Sequence, residues 1–315
     1  MDRTLFFAVD GSENTMQALD NVGRAFLDTD IHLCLFHAVP ESAALYPGEL
    51  STISGEPSEL AQHQQRLANT VLERAVQLLL QLGYNRSRLH TEAAHRSADP
   101  AQDILGFTEK RPYTAVVLAR KGRSLVKRFL VGSTTTKVCQ YGQGRHIWAV
   151  GTAPLQPPRV LAAIDESSYA ERLITHLAEN FASLAGASFT LCHIMPAKPP
   201  GYWDDGHILD DNERAERQAV VARWRTAYEN KLRSLFVRAR ELLQRGGAHE
   251  GNIHERMQTQ MSGVARDILA ELKRGRYNVL ALGRRGTSTA NEFSLGSCVA
   301  KLLQSPSKCT LVLVN

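Results

Sequence analysis

An internal repeat constrains this chain of 315 residues more than any other feature. "LFFAVDGS" at 5–12 is matched by "VLAAIDES" at 160–167, and "LCLFHAVP" at 33–40 by "FTLCHIMP" at 189–196. The same order continues with "AQDILGFTEKRPYTAVVLA" at 101–119 and "ARDILAELKRGRYNVLALG" at 265–283, "GST" at 132–134 and "GSC" at 296–298, and "HIWAV" at 146–150 and "TLVLV" at 310–314. Two copies that keep their internal order predict one folding unit used twice.

A proline-rich stretch separates the copies. "GTAPLQPPR" at 151–159 contains three prolines, which are incompatible with a continuous helix or a central strand. We therefore predict two domains, at residues 1–152 and 157–315, each long enough to bury a core. The offset between the copies grows from 155 residues at Asp10 and Asp165 to 164 at Gly132 and Gly296, so the second copy has a longer middle.

Each copy alternates apolar strands with helical segments. Runs such as "TAVVLA" and "NVLALG" are typical of strands buried on both faces, which occur in parallel sheets covered by helices. The sequence thus predicts an α/β protein with two tandem, open, mostly parallel, doubly wound (Rossmann-like) sheets with helices on both faces. A long helix in the second copy carries an apolar residue every three or four positions and is expected to face the core with them: Val220, Trp224, Tyr228, Leu232, Leu235, Ala239 and Leu242.

Composition narrows the class of protein. Hydrophobic residues make up 43% and charged residues 22% of the chain, as in a globular protein, and no apolar run is long enough to cross a membrane, so we expect a cytoplasmic location. The net charge is +5, but the basic residues are mixed with 32 acidic ones along most of the chain. The densest basic cluster, "RKGRSLVKR" at 120–128, lacks an aromatic platform, which argues against a nucleic-acid partner. Five scattered cysteines without a metal-binding spacing are expected to be reduced.

The stretch "GRRGTSTANEFSLGS" at 283–297 carries the chemistry. A glycine-rich turn that opens a helix leaves backbone N–H groups pointing outward, and such a turn attracts phosphate, here helped by Arg284 and Arg285. Asp165 ends the first strand of the same copy, and ligands of open parallel sheets bind where the carboxyl ends of central strands diverge. An acidic group for a sugar or base, together with a phosphate turn, favours a nucleotide.

These residues resemble the ATP-binding motif of the universal stress proteins. Two residues separate Gly283 from Gly286, nine separate Gly286 from Gly296, and Ser297 follows. The resemblance spans nearly the whole chain and implies a five-stranded sheet in each copy. It further implies that Asp165 and the backbone of Ile194 contact adenine, and that Gly283, Gly286, Gly296, Ser297 and the backbone of Cys298 hold ribose and phosphates. The implied ligand is ATP, with ADP or AMP as alternatives, and Mg²⁺ can accompany it.

The first copy departs from this motif at one position. Ala119 stands where the first glycine belongs, while Gly122, Gly132 and Ser133 keep the spacing and Asp10 matches Asp165. An alanine would strain a backbone that needs a positive φ, or would lengthen the contact to ribose. We therefore expect the first copy to bind nucleotide more weakly than the second, although its loop carries more positive charge.

Structural roles remain as alternatives. Asp10 and Asp165 can cap the helices that follow them, together with Ser12 and Ser167, and a glycine loop can serve only to turn the chain. Histidines at strand ends, such as His37 and His193, more often satisfy structural bonds than act in catalysis. The residues alone leave these alternatives open.

The motifs favour a binding protein over an enzyme. The sequence has no phosphate-binding loop of the Walker type, no G-x-G-x-x-G fingerprint and no nucleophile elbow. We expect a nucleotide-sensing or nucleotide-stabilised stress-response module, with a scaffold that binds a protein partner without nucleotide as the first alternative and a slow nucleotide hydrolase as the second. The resemblance also implies that "HIWAV" and "TLVLV" pair within one chain as an intramolecular pseudo-dimer, with a homodimer left open.

Overall fold

The computed structural model describes residues 3–40, 57–97, 99–120, 131–199, 201, 210–286, 295–305 and 308–315. The first half contains β1 (Thr4–Ala8), α1 (Glu13–Phe26), β2 (His32–Pro40), α2 (Pro57–Gln81), β3 (Leu89–Ser97), α3 (Pro100–Glu109), β4 (Ala115–Ala119), α4 (Ser133–Tyr141) and β5 (Ile147–Val150). The second half contains β6 (Arg159–Ala163), α5 (Ser168–Asn180), β7 (Ser188–Met195), α6 (Asp211–Arg245), β8 (Ile253–Thr259), α7 (Val264–Gly275), β9 (Val279–Gly283), α8 (Ser297–Leu303) and β10 (Thr310–Val314). The α/β class and the doubly wound halves are confirmed.

The strands form one continuous sheet of ten strands in the order β3-β2-β1-β4-β5-β10-β9-β6-β7-β8. Neighbours within each half are parallel, whereas β5 and β10 are antiparallel, with Trp148 opposite Val312. The final strands therefore pair inside one chain, as the family resemblance implied, and neither is left as a sheet edge. The two sheets expected in tandem are joined at this pair into a single sheet.

Helices cover both faces of the sheet because its strands are apolar on both sides. All five side chains of β4 are buried, as are all five of β10. On one face, α1, α2, α5 and α6 pack around a core that runs through both halves; on the other face, α3, α4, α7 and α8 do so. In the first core, Trp148 of β5 packs against Phe26 and Phe181, with ring centroids 5.5 and 4.9 Å away, and the two phenylalanines also contact each other.

Helix α6 follows the predicted apolar stripe only in its carboxyl-terminal part. Leu232 and Ala239 are buried, and Leu235 and Leu242 pack partly buried against the core, but Val220 is 48% exposed. The helix has 35 residues and is thus about 52 Å long. A strand of seven or eight residues spans only about 25 Å, so the neighbouring strands cannot cover the whole helix. The prediction that Val220 faces the core is therefore wrong.

The proline-rich linker is fastened to both halves. Asn21 of α1 donates its side-chain amide to the carbonyl of Ala153 at 3.3 Å, and Asn278 donates to the carbonyls of Pro154 and Pro157 at 2.8 and 2.9 Å. The linker therefore adds to the contacts between the halves. None of the helices in the described ranges combines the length and the apolar character that a membrane span requires.

Candidate functional site

A cavity of about 360 Å³ opens at the carboxyl ends of β1, β2 and β4 in the first half. The strands β1 and β4 are neighbours, and the chain leaves them toward opposite sides of the sheet, which makes this the switch point where open parallel sheets bind ligands. Apolar side chains from the strand ends and from α3, such as Val9 and Ile104, line one side. The start of α4, from Gly132 to Thr135, lines another.

Helix α4 begins without a side-chain cap. Gly132 is the N-cap residue and accepts the first helical bond, from Thr136 N–H at 2.9 Å, and the first turn holds no acidic residue. Gly296 starts α8 in the same way, again with no capping side chain and no acidic residue in the first turn. Unpaired N–H groups and the positive end of the helix dipole favour an anion at such a terminus, and nine-residue α4 presents them to the cavity.

The two aspartates at the strand ends hold turns. The Oδ1 atom of Asp10 accepts hydrogen bonds from Ser12 N at 2.9 Å and Thr15 Oγ1 at 2.5 Å, while Oδ1 of Asp165 accepts one from Ser167 N at 3.0 Å. The helix caps themselves are Ser12 and Ser167, whose hydroxyls accept from the backbone of α1 and α5. Each aspartate therefore fixes the turn with one oxygen, and Asp10 lines the cavity.

The glycine loop of the second half meets Asp165. A Cβ atom added to Gly286 would lie 2.7 Å from Oδ2 of Asp165, closer than real side chains approach. The pKa of the Cys298 thiol is raised to about 11, mainly by burial, with Lys301 opposing the shift and Asp165 adding to it. The strand-end aspartate, the loop and the start of α8 thus converge, as the motif required. The loop residues 121–130 and 287–294 lie outside the described residues, and Gly122 with them.

Position 283 requires a glycine for a reason that the sequence did not reveal. Neither Gly283 nor Ala119 has a positive φ, so the expected backbone requirement is wrong. A Cβ atom at Gly283 would instead lie 2.6 Å from Cβ of Tyr169, in the first turn of α5. The glycine therefore makes room for a close approach of α5 to β9. The corresponding pair in the first half is Ala119 and Asn14, which coexist without a glycine.

The side chain of Arg284 is buried at the junction of the halves. It is 1% exposed, and its Nη2 donates to the carbonyl of Gln140 in α4 of the other half. Burial lowers the pKa of this guanidinium below its ordinary value, but an arginine stays protonated. The structure therefore assigns the Arg284 side chain to the junction, and not to the phosphates as expected.

The remaining predicted residues also lie at the carboxyl ends of the strands. Ile194 is next to the last residue of β7 and is 8% exposed, and its counterpart Ala38 lines the first-half cavity. Ser133 lines the cavity as the first residue of α4, and Ser297 is the first residue of α8. The described residues contain no group of three or more His, Cys, Asp or Glu side chains that could hold a metal ion.

The strand-end histidines carry structural bonds. Nδ1 of His37 lies 2.7 Å from the carbonyl oxygen of Val9, and Nδ1 of His193 lies 2.8 Å from that of Ile164. Each bond ties the first strand of a half to the second. Burial lowers the pKa of His193, which further favours the neutral ring.

The family model of the universal stress proteins matches residues 1–142 and 158–315. The chain belongs to the universal stress protein family. Universal stress protein YxiE of Bacillus subtilis (strain 168) is 24% identical over 144 residues, which cover 44% of this chain and 93% of that protein. A crystal structure of a universal stress protein from Archaeoglobus fulgidus DSM 4304 has a TM-score of 0.65 at 17% identity and covers 100% of this chain and 99% of its own. A functionally unknown protein from Pseudomonas aeruginosa PAO1 has a TM-score of 0.61 at 13% identity, covering 99% and 92%.

Sequence reasoning missed three features of this universal stress protein site: the packing of Tyr169 against the glycine loop, the bond from Thr15 to Asp10, and the inward path of the arginine after the fourth strand of each half. The last had a signal. Both copies place an arginine directly after this strand, as Arg120 and Arg284, and only one of the two copies keeps the preceding glycine. An arginine kept in a copy whose motif has changed indicates a role outside the motif.

Proposed function

We propose that this universal stress protein binds an adenine nucleotide, with ATP as the expected ligand, at the carboxyl edge of each half, and that it serves as a nucleotide-sensing or nucleotide-stabilised stress-response module. One observation carries the proposal: the cavity at the switch point of the first half combines an apolar side with the uncapped start of α4. Its volume of about 360 Å³ falls within the range of about 300–1,000 Å³ that is usual for small-molecule sites.

The chemistry of the lining suggests how the ligand lies. The adenine ring would pack on the apolar side formed by Val9, Ala38 and Ile104, and the Asp10 carboxylate would accept a hydrogen bond from the base or the ribose. The phosphates would bind the open N–H groups and the Ser133 hydroxyl at the start of α4. Any Mg²⁺ would arrive with the phosphates.

The second half offers the corresponding residues, namely Asp165, the Ile194 backbone, Gly286, Gly296, Ser297 and Cys298. One of the two reasons for a weaker first site, a positive φ at residue 119, does not apply, because Ala119 has no positive φ. The other, a contact to ribose that the Ala119 methyl group lengthens, stays a prediction. We therefore propose that both units, 1–152 and 157–315, bind nucleotide, the first more weakly than the second.

Titration calorimetry of the full chain with ATP tests the proposal. We expect two sites per chain, one after Gly286→Val and one after Asp10→Asn. Valine would collide with the Asp165 carboxylate, whereas asparagine keeps the acceptor for Ser12 but removes the charge. Ser188→Ala, at the amino-terminal end of β7 and away from both sites, is the control and should keep two sites.

Mass spectrometry of small molecules released by heat from the purified chain identifies the nucleotide. A chain that neither carries nor binds any adenine nucleotide would favour the scaffold alternative. Release of ADP from ATP at a rate that follows the protein concentration would favour the slow hydrolase.

A further inference from the structure

Two arginines occupy corresponding positions, each directly after the fourth strand of its half, and both are nearly inaccessible to solvent. Arg120 follows β4 and is 5% exposed, and Arg284 follows β9 and is 1% exposed. Arginine is rarely buried to this degree unless its charge and its donors are partnered. The partners of the two side chains therefore indicate what each arginine does.

The backbone of each arginine is tied to its own half. Arg120 donates its N–H to Val150 of β5 at 2.8 Å, and its carbonyl accepts from the N–H of Gly132 at 2.9 Å. Arg284 repeats both bonds, to Val314 of β10 at 2.7 Å and from Gly296 at 3.3 Å. Each arginine thus joins the first residue of a loop to the N-cap of the helix that ends the loop. A ligand that moves the loop or the start of the helix must move the arginine.

The side chain of Arg120 crosses into the other half. Nη2 donates to the carbonyls of Leu302, Leu303 and Ser305 at 3.1, 2.8 and 2.9 Å, and Nη1 lies 3.3 Å from that of Cys309. The carbonyls of Leu302, Leu303 and Ser305 lie at and just beyond the end of α8, where the helix dipole is negative and favours a cation, whereas Cys309 directly precedes β10. Helix α8 has seven residues and is only about 10 Å long. Arg120 therefore binds the carboxyl-terminal end of a short helix whose amino-terminal end starts at Gly296.

The side chain of Arg284 makes the reciprocal crossing. Its Nη2 donates to the carbonyl of Gln140 near the end of α4, and α4 starts in the first-half cavity. In the described part of the chain, Nε and Nη1 of Arg284 have no hydrogen-bond partner, whereas Arg120 lacks one only at Nε. The connection made by Arg120 is therefore the stronger of the two.

We propose that the two nucleotide sites are energetically coupled through these crossed arginines, which act as positioning residues between the sites. The inference rests on the proposed function. Nucleotide at the first-half site restricts the motion of Arg120 and of the start of α4. Because the Arg120 side chain binds the end of α8, it restricts this helix as well, and the start of α8 belongs to the second site. By thermodynamic reciprocity, occupancy of the second site favours the first to the same degree. Coupled sites of this kind typically change each other's affinity by about 5–150-fold.

Amide hydrogen exchange of the full chain, with ATP as the probe, tests the coupling. Gly286→Val is present in every sample, so that ATP has only the first-half site. We expect saturating ATP to slow exchange at the start of α4 and also, by at least about fivefold, at residues 302–305, which lie across the junction. Arg120→Met should abolish the second effect and keep the first.

Arg145→Met is the matched control. Arg145 also donates to backbone carbonyls, those of Leu105 and Gln143 at 3.1 and 2.9 Å, but all within the first half, so the response at 302–305 should remain. If Arg120→Met does not fold, Arg120→Lys retains the charge without the planar fork and should weaken the response.

Three outcomes overturn the coupling. Slowing at the start of α4 without slowing at 302–305 would refute the coupling and leave the nucleotide site intact. A response at 302–305 that survives in Arg120→Met would refute the role of this arginine. No change at either place would refute the first-half site and the coupling with it.

Discussion

At the scale of single residues, positions 283 and 286 require glycine because other groups of the protein lie too close for a side chain. Gly286 faces the Asp165 carboxylate and Gly283 faces Cβ of Tyr169, at 2.7 and 2.6 Å from a built Cβ atom. Neither glycine has a positive φ. Glycines in such a motif suggest a need for conformational freedom, but here they allow close approach. Gly286 lets the loop approach a carboxylate, and Gly283 lets a strand approach a helix.

A double-mutant cycle can measure the close approach at Gly283. We expect Gly283→Ala to lower the free energy of unfolding by about 1–3 kcal/mol, because the first turn of α5 must move away from β9. Tyr169→Gly removes the opposing Cβ atom, so the same alanine should cost less in that background. Tyr169→Ala keeps this atom and is the matched control. Equal costs in all three backgrounds, measured by urea unfolding, would show that the contact does not constrain residue 283.

At the scale of elements, the starts of α4 and α8 lack both a capping side chain and an acidic residue in the first turn. Helices α1 and α5 begin with serine caps, and α3 begins with the Asp99 cap followed by proline. Helix α7 begins at Gly263 without a side-chain cap but has Asp267 in its first turn, whereas α4 and α8 begin at glycine with no acidic residue there. Stability would be gained by capping both helices, so their open starts are consistent with an anion that binds there.

Thr134→Asp separates helix stability from ligand binding. An aspartate in the first turn of α4 should stabilise the chain by about 0.3–1 kcal/mol through the helix dipole. The same charge should repel the phosphates and weaken ATP binding by the first half at least roughly tenfold. Thermal unfolding without ligand and calorimetry with ATP give the two numbers, and Thr134→Asn is the uncharged control. A stabilised chain with unchanged ATP affinity would contradict a phosphate site at α4.

Much of this architecture could be predicted from the repeat, because an apolar run and its turn are local patterns. The strands β1, β4, β6 and β9 and the convergence of Asp165 with the glycine loop follow from such patterns. The pairing of β5 with β10 follows from the family resemblance. The exposed Val220 was not, since periodicity identifies the apolar face of a helix but not the length of the surface that covers it. The inward path of Arg284 was not either, because a charge beside a phosphate motif gives no information about the other half of the chain.

At the scale of the whole molecule, the two halves share polar as well as apolar contacts. Trp148 of the first half donates its indole N–H to Nε2 of His176 in α5 at 2.9 Å, and the ring of His146 lies 4.3 Å from that of His176. Arg3 donates to Asn180 Oδ1 at 3.1 Å, beside the same histidine. His176 is 3% exposed, and an Nε2 that accepts a hydrogen bond cannot also carry a proton.

The charges around this histidine all oppose its protonation. Burial lowers the pKa of His176 well below its ordinary value, and His146 and Arg3 add to the effect. Burial also lowers the pKa of His146, with a contribution from Arg172. Each histidine therefore binds fewer protons in the folded chain than in the unfolded chain once the pH falls below the unfolded pKa of about 6.5. Stability is complete above that pH and is lost as the pH falls toward the lower folded values.

We expect the free energy of unfolding to decrease below about pH 6.5, with a slope of up to about 1.4 kcal/mol per pH unit for each buried histidine that stays neutral in the folded state. His176→Gln can still accept the Trp148 hydrogen bond but has no proton to gain, so the slope between pH 6.5 and 5 should be shallower by up to that amount. His193, also buried with a lowered pKa, accounts for part of the slope that remains. Urea unfolding across this pH range provides the measurement, and His254→Gln at an exposed position is the matched control. If His176→Gln and the unaltered chain lose stability equally steeply, the junction histidine is not what makes the paired halves sensitive to acid.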